Sequence, residues 1–201
     1  MSLEKYYNEE TKTLLLPYDF NEELKDLPVG VKIIIFNEEL YNMLSKFNRP
    51  VDNLPHDITH LTFGFYFNKP VNSLPPNLRV ITFGDDFNHP VDNLPPNLEV
   101  ITFGKEFNHS VNNLPKNIKE LAFPADSFIK NYIPAHITNI KILFNYYDDF
   151  DEIVDEIVDN LPIHIKQIRV NNKSKIHYLK KIPFGCKIID EYNNELPYEN
   201  N

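Results

Sequence analysis

The sequence predicts a mainly-β repeat solenoid: a parallel sheet with one short strand per coil of about twenty residues, an irregular return side, and short helices in two inserted coils. Three patterns carry this reading. Leu74–Asn93 and Leu94–Asn113 differ at only five positions, Arg79/Glu99, Asp85/Lys105, Asp86/Glu106, Pro90/Ser110 and Asp92/Asn112, and Leu54–Ser73 keeps the same frame. Eight of the sixteen prolines (28, 55, 75, 95, 115, 134, 162 and 183) follow a Leu or Ile in one column of that frame. Phe-Gly-x-x-Phe-Asn recurs three times in strict register.

The strand comes from the spacing of apolar residues after each Leu-Pro. An aliphatic at Ile58, Leu78, Leu98 or Ile118 is followed by Leu61, Ile81, Ile101 or Leu121, and two residues later by Phe63, Phe83, Phe103 or Phe123. Strand side chains alternate with period two, so the last two of these share one face. The residue between them, Thr62, Thr82, Thr102 or Ala122, faces the other way. Coils stacked about 4.8 Å apart then turn the Phe column into a continuous spine.

Glycine is scarce, five in 201 residues, yet Gly64, Gly84 and Gly104 fall directly after that Phe. A turn needing positive φ or a close backbone approach accounts for them. A second Phe, at 67, 87 and 107, precedes Asn68, Asn88 and Asn108. An Asn recurring beside an apolar anchor predicts hydrogen bonds to loop backbone that the strand ladder leaves unpaired. Proline after Leu cannot donate to a ladder and holds the preceding residue extended, so the return side has no room for a helix.

The chain divides into coils at about 7–26 (cap-like), 27–53, 54–73, 74–93, 94–113, 114–132, 133–160, 161–181 and 182–191, with 192–201 as a frayed tail. In the first coil, Leu14, Leu16, Phe20 and Asn21 are in register, with Tyr7 and Asn8 in the Leu-Pro slots. The second coil is longer, and Leu40, Met43, Leu44 and Phe47 predict a short helix within 37–47. Coil 114–132 puts Pro124 in the Gly position and Phe128 one residue late. Coil 133–160 carries Phe150, Ile153, Val154, Ile157 and Val158 opposite Asp151, Glu152, Asp155, Glu156 and Asp159, predicting an acidic amphipathic helix. The last coil uses Ile188 or Ile189 as an edge strand.

Composition narrows the function classes. A net charge of −9 argues against general nucleic-acid binding, whose affinity comes chiefly from phosphate neutralisation. Seven Lys or Arg and no acid between Ile163 and Lys187 read as compensation for the acidic helix before them. One cysteine, Cys186, leaves no internal disulfide, which fits a reducing compartment. No apolar run approaches the roughly eighteen residues that span a membrane, and the N-terminus has charges where a signal peptide would be apolar. These features predict an intracellular, cytoplasmic protein without a membrane partner.

The pattern Leu-Pro…Leu-x-x-Leu-x-Phe-Gly-x-x-Phe-Asn-x-Pro-Val resembles the FNIP repeat, fully over Leu54–Asn113 and more weakly over residues 7–182. That family is a divergent relative of the leucine-rich repeats, abundant in social amoebae and in giant viruses of amoebae. The resemblance implies a leucine-rich-repeat-like solenoid used for protein–protein contact, in the host cytoplasm if the chain is viral. Some family members join such repeats to an F-box. Here repeat register begins by Leu14, so a substrate-recognition role in ubiquitin ligation would need that adaptor from elsewhere.

Candidate chemistry is sparse. His89 and His109 share a column, but Lys69 occupies it one coil earlier, so a third metal ligand is missing. Cys186 has no histidine in register, and no Gly-rich loop could cradle a phosphate. The expectation is a non-enzymatic scaffold with no metal or cofactor, binding an unidentified protein through its sheet face and Gly-x-x turns. The alternative is self-assembly through terminal strands. The outward residues Thr62, Thr82 and Thr102 make a smooth strip, rimmed by the variable turn residues Phe65, Tyr66, Asp85 and Lys105. Phe65 and Tyr66 are the expected anchors, because aromatics dominate interface hot spots.

Overall fold

Each regular coil is a strand followed by three tight turns. The first turn follows the Leu-Pro corner, where the Pro75 carbonyl accepts from Leu78 N at 3.1 Å, as Pro95 does from Leu98 at 3.2 Å. The second follows the strand, where Gly84 O accepts from Phe87 N at 3.3 Å. The third leads to the next corner, as where Val111 O accepts from Leu114 N at 3.3 Å. Each turn ends on an apolar residue that points inward, so Leu78, Phe87 and Leu114 are all buried. A closed twenty-residue loop results, with no return helix.

The computed structural model describes residues 2–36, 44–144 and 157–198. Its ten strands form one sheet in chain order: β1 (Tyr7–Asn8), β2 (Thr13–Leu16), β3 (Ile33–Phe36), β4 (His60–Thr62), β5 (Val80–Thr82), β6 (Val100–Thr102), β7 (Glu120–Pro124), β8 (Asn139–Leu143), β9 (Gln167–Val170) and β10 (Lys187–Ile189). All neighbours from β2 to β10 pair in parallel. Register aligns Leu14, Ile34, Leu61, Ile81, Ile101, Leu121, Ile140, Ile168 and Ile188 in one buried column. This is the β solenoid that the repeat predicts.

Two columns of phenylalanine fill the coil beside those aliphatics. Phe36, Phe63, Phe83 and Phe103 stack at 5.7–5.9 Å between ring centroids, and Phe20, Phe47, Phe67, Phe87 and Phe107 at 6.0–6.1 Å. Within a coil the two rings lie face to face, 3.8 Å apart for Phe83 and Phe87. The strand spacing sets the column spacing, so the inner rings Phe63, Phe83, Phe47, Phe67 and Phe87 each have a stacked ring in the coil before and the coil after. Beside them runs an asparagine ladder. The side-chain oxygens of Asn21, Asn48, Asn68 and Asn88 each accept the backbone N–H of the Asn one coil on, at 3.0–3.2 Å. This pairs a backbone donor that lies outside the strand ladder.

The irregular coils depart from the sequence reading in several places. Tyr7 and Asn8 do not form a Leu-Pro corner; they make an antiparallel strand against Leu14 and Thr13, behind the buried Leu3. Of the helix expected over 37–47, residues 37–43 lie outside the described residues, and 44–47 are not helical. That stretch runs as an ordinary coil, with Phe47 in the ring column and Lys46 N donating to Tyr18 O at 2.7 Å. Most of the acidic helix expected over 150–159 also lies outside the described residues. Its end is extended, because Val158 is buried in a parallel bridge to Leu179. Phe128 is not the late anchor of its coil: a short 3-10 turn, Phe128–Asn131, buries Ile129 instead.

The tail is not frayed over 192–198. Asp190 accepts from Tyr192 N and Asn194 N at 2.9 and 2.8 Å, turning the chain back so that Ile189 pairs antiparallel with Glu195. Hydrogen bonds to Asn194, side chain first, and to Tyr192 hold the Asp190 carboxyl below the usual carboxylate range. Leu196 N donates to Ile188 O at 2.8 Å, and the Tyr198 hydroxyl to Leu179 O at 2.7 Å. Arg169 ties the hairpin to the sheet, bonding Glu120 Oε2 at 2.9 Å and Asn193 Oδ1 at 3.0 Å. Sequence reading missed this because the segment carries no repeat signal and only Leu196 and Tyr198 as apolar anchors.

Two outcomes follow for stability. Phe83→Ala, removing a ring stacked on both sides, should cost about 3–5 kcal/mol, while Thr82→Ala should cost under about 0.5 kcal/mol; equal losses in urea titration would contradict the strand phase. Ending the chain after Glu191 should cost about 2 kcal/mol or more by uncovering Ile188 and Leu179, and should produce concentration-dependent association. An unchanged melting temperature would show that the hairpin is no cap.

Candidate functional site

The outward side chains of β4, β5 and β6 are those between the buried ones. Register sets His60, Val80 and Val100 side by side, and Thr62, Thr82 and Thr102 side by side. All six are half-buried, and no charge lies among them. Burial followed by Arg79 lowers the His60 pKa, so this strip stays neutral near physiological pH. In the next strand Ala122 continues the Thr column but is buried.

Where these strands end, glycine decides the geometry. Gly84 and Gly104 do not have positive φ. A methyl group built on either would fall on the carbonyl of the glycine one coil before, Gly64 or Gly84. Close backbone approach, not a left-handed turn, therefore requires glycine in this column. The turns consequently stack as tightly as the strands. Asp86 N donates to Phe65 O at 3.0 Å, Glu106 N to Asp85 O at 2.9 Å, and Lys105 N to Asp85 Oδ1 at 3.3 Å.

Between the Thr column and this stacked turn runs a groove of about 510 Å³. It brings together Thr62, Thr82, Thr102, Phe65, Asp85 and Lys105, with Phe63, Phe83, Phe103, Gly84 and Gly104 in its wall. Tyr66 is not among the lining residues; it stands beside the groove, 42% exposed, its ring edge-on to Phe65 at 5.0 Å. Phe65 itself is half-buried. Gly64 is buried at the same turn, and Phe67, Phe87 and Phe107 belong wholly to the core. Asn68, Asn88 and Asn108 are in the ladder, away from the groove.

Later coils contribute lining that the regular repeats could not foretell. Pro124, Ala125 and Asp126 replace the Gly turn, and Leu143, Phe144 and Asn171 close the far end. Asn171 Nδ2 donates to Phe144 O at 2.9 Å, and its Oδ1 accepts from Phe144 N at 2.8 Å. The only forewarning was columnar: these residues follow strands at the positions that Gly64-Phe65 and Gly84-Asp85 hold.

A second groove, about 630 Å³, borders the other ends of the strands. Its polar groups are largely spent on each other. Asn97 and Asn117 donate to the carbonyls of Pro76 and Pro96, and Glu99 pairs with Lys119 at 2.7 Å and Arg79 at 3.5 Å. The Lys119 hydrogen bond holds the Glu99 carboxyl below its usual range. Elsewhere, His109 Nε2 lies 3.2 Å from Asn88 O, and burial pushes the Cys186 thiol up to about 11. No three His, Cys, Asp or Glu side chains among the described residues gather as metal ligands would.

The sequence model of the FNIP repeat matches this chain over residues 47–86, 67–93 and 87–126, the stretch that supplies most of the groove. No curated protein matches the chain.

The groove rim has its own electrostatic signature. Burial raises the Asp86 pKa, and the neighbouring Glu106 and Asp85 add to it. The raised folded-state value means that ionising Asp86 disfavours the folded chain. That penalty is absent below the unfolded-state pKa and complete once pH exceeds the folded one. Asp86→Asn should therefore raise the melting temperature at pH 7 and lose that advantage near about pH 3. An advantage of equal size at both pH values would rule out charge as its source.

Proposed function

We propose that this chain, a β solenoid whose residues 47–126 match the FNIP repeat, is a non-catalytic scaffold that receives a segment of a partner protein. The groove between the Thr column and the Gly-x-x turns is the docking site. The observation that carries the reading is the meeting of Thr62, Thr82, Thr102, Phe65, Asp85 and Lys105 in one groove about 510 Å³ in volume. The inward positions of the regular coils are nearly invariant, whereas the paired turn residues change completely from Phe65-Tyr66 to Asp85-Asp86 to Lys105-Glu106. A rigid frame with interchangeable edge residues suits selective binding.

The chemistry of the lining favours a protein segment. Hydroxyls and aromatic edges offer apolar contact and hydrogen bonding together, and an exposed Tyr66 beside the groove suits an anchoring role. Covered ends favour a discrete scaffold over end-to-end assembly: β1 closes one edge antiparallel, and the Glu195 bridge partly covers β10. An intracellular setting fits the lone thiol.

Thr82→Arg with Thr102→Arg should fill the groove without entering the core, keeping the melting temperature within about 3 °C. Proteins captured from an amoebal lysate by the wild-type chain and lost by this pair, as scored by mass spectrometry, are the expected result. Equal capture by both would remove the groove as the site.

A further inference from the structure

A different corner of the coil carries a feature that the groove does not use. Phe184 is fully exposed and Ile163 is 94% exposed. Each stands directly after the proline of its corner, on turns closed by Ile165 N to Pro162 O at 3.0 Å and Cys186 N to Pro183 O at 3.1 Å. Because β9 and β10 pair, these turns are neighbours. The same place in the five preceding coils holds His56, Pro76, Pro96, Lys116 and Ala135. Val29 holds the same place in coil 27–53 and is equally exposed, but it has His56 in the next coil; large apolar side chains occupy the place in two adjacent coils at the C-terminal end.

The tips have a cationic surround. Lys180 and Lys181 immediately precede the second corner, and Lys166 follows the first; all three are exposed and make no ion pair among the described residues. Lys187 follows the second corner but is held by Glu195 at 3.0 Å. Among the described residues, Asp159 is the one acid within four positions of the first corner in sequence. Among the described residues of these two corners the balance is positive, on a protein whose net charge is −9.

We propose that this corner docks peripherally on an anionic lipid surface. Phe184 and Ile163 would enter the boundary between headgroups and acyl chains, while Lys166, Lys180 and Lys181 remain level with the phosphates. The two apolar residues project from convex turns. Such points need a receiver that deforms around them, which a bilayer does and a folded protein surface does only through pre-formed pockets. The lysines supply the attraction to negative headgroups that so small an apolar area requires. A peripheral contact needs no spanning segment, and no described helix is long and apolar enough to cross a membrane. This corner lies at the opposite ends of the strands from the groove, so either site can fail without the other.

The test is co-sedimentation of the full chain with vesicles of phosphatidylcholine alone, and with about one third phosphatidylserine, at low and high salt. Binding is expected only to the anionic vesicles, weakening with salt. Ile163→Ser with Phe184→Ser should reduce it on the order of tenfold, and so should Lys180→Glu with Lys181→Glu. Circular dichroism of both pairs should match the wild type, since these side chains are exposed. No sedimentation at low salt, or full binding by the serine pair, would overturn the proposal. So would binding of polyglutamate that the serine pair retains and anionic vesicles fail to displace, which would assign the lysines to an acidic protein.

Discussion

A coil that stacks on copies of itself must bring every equivalent backbone atom within about 4.8 Å of the next. That distance is short enough for a hydrogen bond and too short for most irregular turns. The glycine column answers the constraint directly, since any side chain at Gly84 would strike the Gly64 carbonyl. Once the turns can stack, the rings can stack as well, and the asparagine ladder can pair the next exposed N–H. Stability and shape thus depend on one steric condition, repeated coil by coil.

The same condition separates fixed positions from variable ones. Residues that end a turn point inward and have no freedom: Phe87 and Phe107 hardly differ in their surroundings. Residues at the middle of a turn are less enclosed, and there Phe65, Asp85 and Lys105 succeed one another on backbone that stays stacked. Charge can therefore change along the groove without altering its dimensions. Asp86 shows the limit, because burial, with Glu106 and Asp85 adding to it, already disfavours its ionised form.

Ends pose the opposite problem. A terminal coil has an apolar face and a free strand edge with nothing stacked on it. The N-terminal end meets this with Leu3 and the antiparallel β1, and the C-terminal end with the hairpin held by Asp190, Arg169 and Tyr198. Neither device repeats, so neither shares the periodicity of the coils it covers.

Period and burial phase were legible in the residues themselves. A twenty-residue repeat with Leu-Pro, Phe-Gly and Phe-Asn leaves one way to close a coil, and alternation along a strand says which side is inside. The outward strip of Thr62, Thr82 and Thr102 followed from the same alternation, and its rim at Phe65, Asp85 and Lys105 from the variation of the turn residues after Gly. Tertiary structure alone decided whether glycine served φ or contact, that Ile129 and not Phe128 enters the core, and that Tyr66 stands outside the groove. It alone folded 192–198 back over the sheet edge. The physical reason is common to all four: each depends on a neighbour in another coil, at a distance that one coil's sequence does not encode. Repetition makes such neighbours inferable where coils are alike, and that inference ends where the repeat does.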